Sequence, residues 1–153
     1  MLVRIQNVKI FIMNPIFEYK KRAEYTHMSP TDKVIWERFI DTYPDKYNSV
    51  QYDFRVGDPP PFNPLMPDGE DLNQDALYRL RIDVVGKNRE NHDIIEIKPN
   101  AGPSTIGQIK SYKALYTRDE APKGITSMII ITDKIQPNME WLCKIEGIKI
   151  IVV

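Results

Sequence analysis

The chain predicts a mixed α/β domain whose sheet is partly parallel, on three observations. Two segments carry helix-start chemistry, Ser29-Pro30 and Gly102-Pro103-Ser104. The stretch IDVVGKNRENHDIIEIK, residues 82 to 98, reads as two apolar strands around a polar turn. ITSMIIITD, residues 125 to 133, is a continuous apolar run of the kind that forms a strand covered on both faces. A helix lying between a hairpin and such a strand is a crossover, and crossovers join parallel strands.

Residues 1 to 13 have strand character, and residues 14 to 27 show no clear period. Ser29 caps, Pro30 suits the first helical position, Asp32 suits the positive helix end and Pro44 closes the segment, so a helix is expected over 30 to 42. Val34, Ile35, Phe39 and Ile40, with Trp36 alongside, form its inward stripe. In VQYDFRV, Val50, Tyr52, Phe54 and Val56 alternate with polar residues, the period of a strand with one buried face. This places Asp53 and Arg55 on a solvated side.

Five prolines between residues 58 and 75 rule out regular structure, so 57 to 76 is expected to be a long loop inside the domain. Hairpin strands follow over 77 to 85 and 93 to 99, then a helix from Ser104 to about residue 117 and the strand of 125 to 133. A short helix over 137 to 147 begins at Pro137 and ends at Gly147, and IKIIVV is a last strand.

With 153 residues, the chain suits a single domain spanning 1 to 153, in which 1 to 28 is an extension and 29 to 153 the core. Hydrophobic content of 42% against 27% charged residues is globular, not disordered. The single Cys143 cannot form an internal disulfide, which suits a reduced, cytoplasmic compartment. IFIM, residues 10 to 13, is too short for a signal peptide's apolar core, and no segment is long enough to span a membrane.

Zero net charge argues against holding nucleic acid by bulk electrostatics. Local basic groups exist at Lys20, Lys21 and Arg22 and at Lys110, Lys113 and Arg118, where solvated faces are the ordinary explanation. Two histidines, His27 in front of a helix cap and His92 in the hairpin turn, are expected to be exposed and are too few for a histidine-rich metal centre. No phosphate-binding G-x-x-x-x-G-K-[ST] loop is present.

The hairpin carries charge where strands usually do not. A turn centred on Arg89 and Glu90 sets Asp83 opposite Glu96. It also sorts Leu80, Ile82 and Val84, with Ile95, Ile97 and Pro99, onto an apolar face, and Arg81, Asp83 and Val85, with Ile94, Glu96 and Lys98, onto the other. Opposed carboxylates repel one another when partly dehydrated and need a counter-charge. Lys98 supplies one. A hard divalent cation such as Mg²⁺, with Mn²⁺ a substitute, is the other fit, because it prefers oxygen ligands and retains water. The alternative is a surface hairpin with ordinary cross-strand ion pairs.

Asp83, twelve intervening residues, then Glu96-Ile97-Lys98 resembles the D...(D/E)xK core of the PD-(D/E)xK nuclease superfamily, which has the restriction-endonuclease-like fold. The expected order of helix, three-stranded meander, helix and strand, here with a further C-terminal helix and strand, is that of the family. Gln108 and Tyr112 resemble the QxxxY element of its exonuclease-like branch, and Glu37 stands on the helix where many members place another acid. The segment from Arg81 to Tyr116 is also similar to that of small phage-associated members. Ile82 stands where the family name has proline.

The resemblance implies that Asp83, Glu96 and the Ile97 carbonyl hold Mg²⁺, with Glu37 a further or water-mediated ligand. It implies that Lys98 positions the attacking water, that Gln108 and Tyr112 orient Lys98 or a phosphate, and that Lys110 and Lys113 hold the backbone of DNA. The expected activity is hydrolysis of phosphodiester bonds in DNA, with RNA left open as substrate. The alternative is a DNA-binding or phage assembly protein that keeps the fold without the chemistry. Residues 1 to 28 and the loop of 57 to 76 could supply contacts to nucleic acid or a homodimer surface.

Overall fold

The computed structural model describes residues 14–58 and 80–153. The strand expected over 1 to 13 and nearly all of the proline-rich loop lie outside these residues, as do positions 77 to 79 of the first hairpin strand. In chain order the elements are β1 (Phe17–Glu18), α1 (Pro30–Thr42), β2 (Ser49–Val56), β3 (Leu80–Asn88), β4 (Asn91–Ile97), α2 (Ser104–Glu120), β5 (Thr126–Thr132), α3 (Met139–Ile145) and β6 (Ile148–Val152). The six strands form one sheet in the order β1-β2-β3-β4-β5-β6. Its first three pairings are antiparallel, and β4-β5 and β5-β6 are parallel. This is the mixed α/β architecture and the helix, meander, helix, strand order expected for a restriction-endonuclease-like core.

Helix α1 begins where the capping signal puts it. Ser29 accepts a hydrogen bond from the Asp32 main-chain N–H at 3.1 Å and satisfies one of the otherwise unpaired donors of the first turn. Ile35, Trp36, Phe39 and Ile40 are buried, each burial contributing about 1.5–3 kcal/mol. Val34, expected in the stripe, is 49% exposed, because the two i, i+4 pairs, 35/39 and 36/40, already define the inward face.

Helix α1 covers one face of the sheet, where Tyr52, Val84, Ile95, Ile129 and Ile131 pack beneath it. Helices α2 and α3 cover the other face, where Ile94, Ile130, Tyr112, Tyr116, Met139 and Cys143 meet. Strand β5 therefore alternates between two buried faces, as its unbroken apolar run requires. No helix among the described residues is long and apolar enough to cross a membrane.

The hairpin register is the expected one: Val84 pairs with Ile95 and Asn88 with Asn91, around Arg89 and Glu90. Arg89 takes the left-handed backbone this tight turn needs, with φ 57°. The strands end at Asn88 and start again at Asn91, closer to the turn than expected. Their polar tips have partners on both flanks, Ser49 against Lys87 and His92 against Thr126. The same pairing overturns the expected exposure of His92, which is half-buried and shares a 2.7 Å hydrogen bond between its Nδ1 and the Tyr116 hydroxyl.

One expectation about faces is also overturned. Strands β2 and β3 stay in a constant register from Ser49↔Lys87 to Val56↔Leu80, yet they change faces midway. Val50, Tyr52 and Val84 pack under α1, whereas Phe54, Val56 and Ile82 pack against α2, with the Phe54 and Tyr116 rings 5.3 Å apart. Ile82 is thus not on the face of Val84, and Leu80 is 45% exposed. The change occurs at Asp53, whose φ of 50° breaks the alternation that a uniformly extended strand would keep.

Two smaller differences follow from local chemistry. Helix α2 opens behind Pro103 with no side-chain cap, and Ser104 lies inside the first turn. Helix α3 is shorter than expected because Asn138 adopts φ 71° and starts it only at Met139.

Candidate metal centre

The candidate site lies where β3 and β4 part. The last paired rung of the hairpin is Val84↔Ile95; beyond it Asp83 and Glu96 face one another without a main-chain bond. The Asp83 carboxylate turns toward β4 and accepts the Ile97 main-chain N–H at 2.8 Å. Glu96 extends from the same face of β4 as Ile94, beneath α2, and is only 5% exposed. The two carboxyl groups lie close enough to interact, and the interaction raises Glu96 while it lowers Asp83.

Burial is the main reason that both carboxyls sit well above the usual carboxylate range. At Asp83 the Ile97 N–H opposes the rise. At Glu96 the neighbouring Asp83 charge adds to it, and Lys98 only partly offsets it, so Glu96 is the more strongly shifted of the two. The Glu96 Oε2 atom is buried and has no hydrogen-bond partner. A buried oxygen left in that state costs about 1–3 kcal/mol, an unusual expense unless something else meets it.

Tyr112, on α2, stands near this pair. Its hydroxyl accepts a hydrogen bond from Gln108 Nε2 at 2.8 Å, one helical turn away. Burial raises the pKa of this phenol, the Gln108 hydrogen bond opposes the rise, and the charges of Glu96 and Asp83 add to it. The ring is buried, so packing and site chemistry are served by the same side chain. Lys98 is exposed just past the end of β4, its main-chain N–H bonded to Ile131 O at 2.9 Å, so the strand pairing holds its base.

The other residues singled out from the sequence are placed differently. Glu37 is half-buried on α1 and accepts a hydrogen bond from the Tyr25 hydroxyl at 3.2 Å. The α1 acid whose charge reaches both Asp83 and Glu96 is Asp32, in the first turn. Lys110 is exposed and ion-paired with Glu146. Lys113 is half-buried, one residue along the helix from Tyr112.

Asp53, expected on a solvated side, has a side chain only 9% exposed. It lies opposite Asp83 across the β2-β3 ladder, 3.5 Å from Arg81 and 3.7 Å from the His27 ring. Its charge raises Asp83 as well. The strand pattern alone hid this residue. A signal was available in pairing β2 with β3, which sets two aspartates opposite one another, and aspartate tolerates left-handed backbone better than most residues.

No protein-family model matches the chain, and no curated protein does. Among solved structures, it is similar to one described as an EndoMS-dsDNA2 complex, with a TM-score of 0.48 and 16% identity over 87% of this chain and 49% of that one. It is also similar to the crystal structure of a repair endonuclease from Pyrococcus abyssi, with a TM-score of 0.48 and 14% identity over 88% of this chain and 49% of that one. The chain spans about half the length of both.

Proposed function

We propose that this protein is a divalent-metal-dependent nuclease of the PD-(D/E)xK type that hydrolyses phosphodiester bonds in DNA. The observation that carries the reading is the meeting of Asp83 and Glu96 at the parted end of β3 and β4, with Glu96 Oε2 buried and unpartnered. A cation there would meet the orphaned oxygen and offset the burial and the Asp83 repulsion that together raise Glu96.

The donor set fits Mg²⁺ or Mn²⁺. Among the described residues, no group of three or more His, Cys, Asp or Glu side chains is arranged around one point. Asp83 and Glu96, with the Ile97 carbonyl that the family resemblance implies, would be the protein's share, which suits a cation that keeps several waters and binds through one or two carboxylates. When bound, such an ion stabilises charge on the phosphate oxygens and makes a coordinated water more acidic.

The chain's own residues do the rest. Asp83 is held at one oxygen by the Ile97 N–H, so its carboxylate keeps one orientation. Lys98, exposed at the mouth, positions the attacking water by donating a hydrogen bond to its oxygen, a role suited to an ammonium beside carboxylates. Because Gln108 donates to the Tyr112 hydroxyl, the tyrosine proton is left to donate toward a phosphate oxygen, and its second lone pair to accept from Lys98. Lys113, and Lys110 once released from Glu146, hold the DNA backbone.

The test is an assay of purified protein on plasmid, linear and single-stranded DNA and on RNA, with and without Mg²⁺. DNA cleavage that needs the metal and disappears in folded Glu96→Ala and Lys98→Ala variants is the expected result. Cleavage unchanged in both variants, or none from the parent protein on any substrate, overturns the proposal.

A further inference from the structure

The β2-β3 ladder lacks a single rung. Tyr52 pairs with Val84 and Phe54 with Ile82, but Asp53 and Asp83 between them do not pair. On one side of this gap Val50, Tyr52 and Val84 pack under α1, and on the other Phe54, Val56 and Ile82, of the same parity, pack against α2. A left-handed backbone at Asp53, with φ 50°, accompanies the change. On its other flank, Asp83 is also outside the β3-β4 ladder, which begins at Val84. The result is an aspartate freed from main-chain pairing on both sides, with its carboxylate available to the Ile97 N–H and to Glu96.

We infer that Asp53 is a positioning residue for Asp83: its left-handed backbone opens the ladder and turns the Asp83 carboxylate into the site. The Asp53 side chain lies nearly buried beside Arg81 and His27, so the conformation is set by the backbone in a position with room for a short polar side chain. The consequence for catalysis rests on the nuclease reading above, but the consequence for Asp83 does not. A non-glycine residue is strained in this backbone region, and Asp and Asn are the side chains that tolerate it best. Glycine adopts it without strain. A β-branched residue there would favour extended backbone and a completed rung between positions 53 and 83.

Asp53→Gly, Asp53→Asn and Asp53→Val separate backbone from charge. The readout is hydrogen exchange of the Ile97 amide relative to the core amide of Ile130, in protein free of metal and DNA, followed by Mn²⁺ titration of each variant. In Asp53→Gly and Asp53→Asn, Ile97 is expected to stay within about twofold of the parent; in Asp53→Val it should exchange about tenfold faster, with Mn²⁺ affinity falling in parallel.

Ile97 protection kept in Asp53→Val, or lost as fully in the Gly and Asn variants, overturns the inference. If Asp53→Val does not fold, Asp53→Ala, strained by the same φ, takes its place. Exchange at Ile97 that follows this pattern in a protein that neither binds Mn²⁺ nor cleaves DNA leaves the positioning role standing and removes the nuclease reading instead.

Discussion

The Asp83 carboxylate accepts the main-chain N–H of Ile97 at 2.8 Å and lies against the Glu96 carboxyl, joining β3 to β4 just where their ladder stops. A side chain replaces a main-chain rung there, and it brings a second acid to a nearly buried first one. Stability and chemistry are therefore set against each other at one point.

Glu96→Gln should stabilise the metal-free protein at neutral pH. The amide removes a titrating group that burial and Asp83 hold in its protonated form, and its NH₂ can donate to Asp83. Chemical denaturation should show a gain of about 1–3 kcal/mol, with DNA cleavage abolished. A loss of stability of similar size would mean that Glu96 serves the fold and not a bound ion.

The pH dependence has a definite sign. Both folded-state carboxyl pKa values lie above their unfolded values, so the metal-free folded state binds more protons than the unfolded chain. Stability from this pair is greatest below the ordinary carboxylate range and declines as pH rises toward the raised folded values. Thermal melting from pH 5 to pH 8 should show a decline that saturating Mg²⁺ reduces. Asp83→Asn/Glu96→Gln should flatten the profile.

Tyr112→Phe removes a hydroxyl whose hydrogen-bond partner among the described residues is the exposed Gln108 amide, which water can serve instead. Stability should change by less than about 1 kcal/mol. Cleavage should fall roughly 10- to 100-fold, the usual cost of losing a residue that orients those at a metal site. Equal activity in Tyr112→Phe would assign this residue to packing alone.

Gly86→Ala tests the fold away from the site. A Cβ at Gly86 would lie 2.6 Å from the Tyr47 ring, which cannot retreat easily because its hydroxyl donates to Asp93 at 2.7 Å. Overpacking of this kind costs about 1–3 kcal/mol, read as a lower melting temperature with metal affinity preserved.

Much of this was legible from local chemistry. The Ser29 cap and Pro30 placed α1 at its observed bounds, because helix ends answer to backbone donors within one turn. The hairpin register followed from side-chain parity, since a slip of one residue would have exposed a buried set. The meeting of Asp83 with Glu96 and of Gln108 with Tyr112 was legible for the same reason: strand pairing and helical spacing bring each pair together. Asp53 was misread as solvated, because its strand has a clean alternating pattern and nothing within it marks the change of face. Asp32 was read only as a helix-end charge, although its field reaches the site.

By itself, the sequence determined the kinds of elements, their order and the opposition of Asp83 to Glu96, all of which depend on contacts within a turn or between adjacent strands. The tertiary structure decided where the paired residues of β2 and β3 change faces, how deeply Glu96 is buried, and that Asp53 and Asp32 stand near Asp83. The reason is physical: burial and electrostatic fields sum over every element packed around a group, and residues far apart in the chain contribute to them without leaving a local pattern.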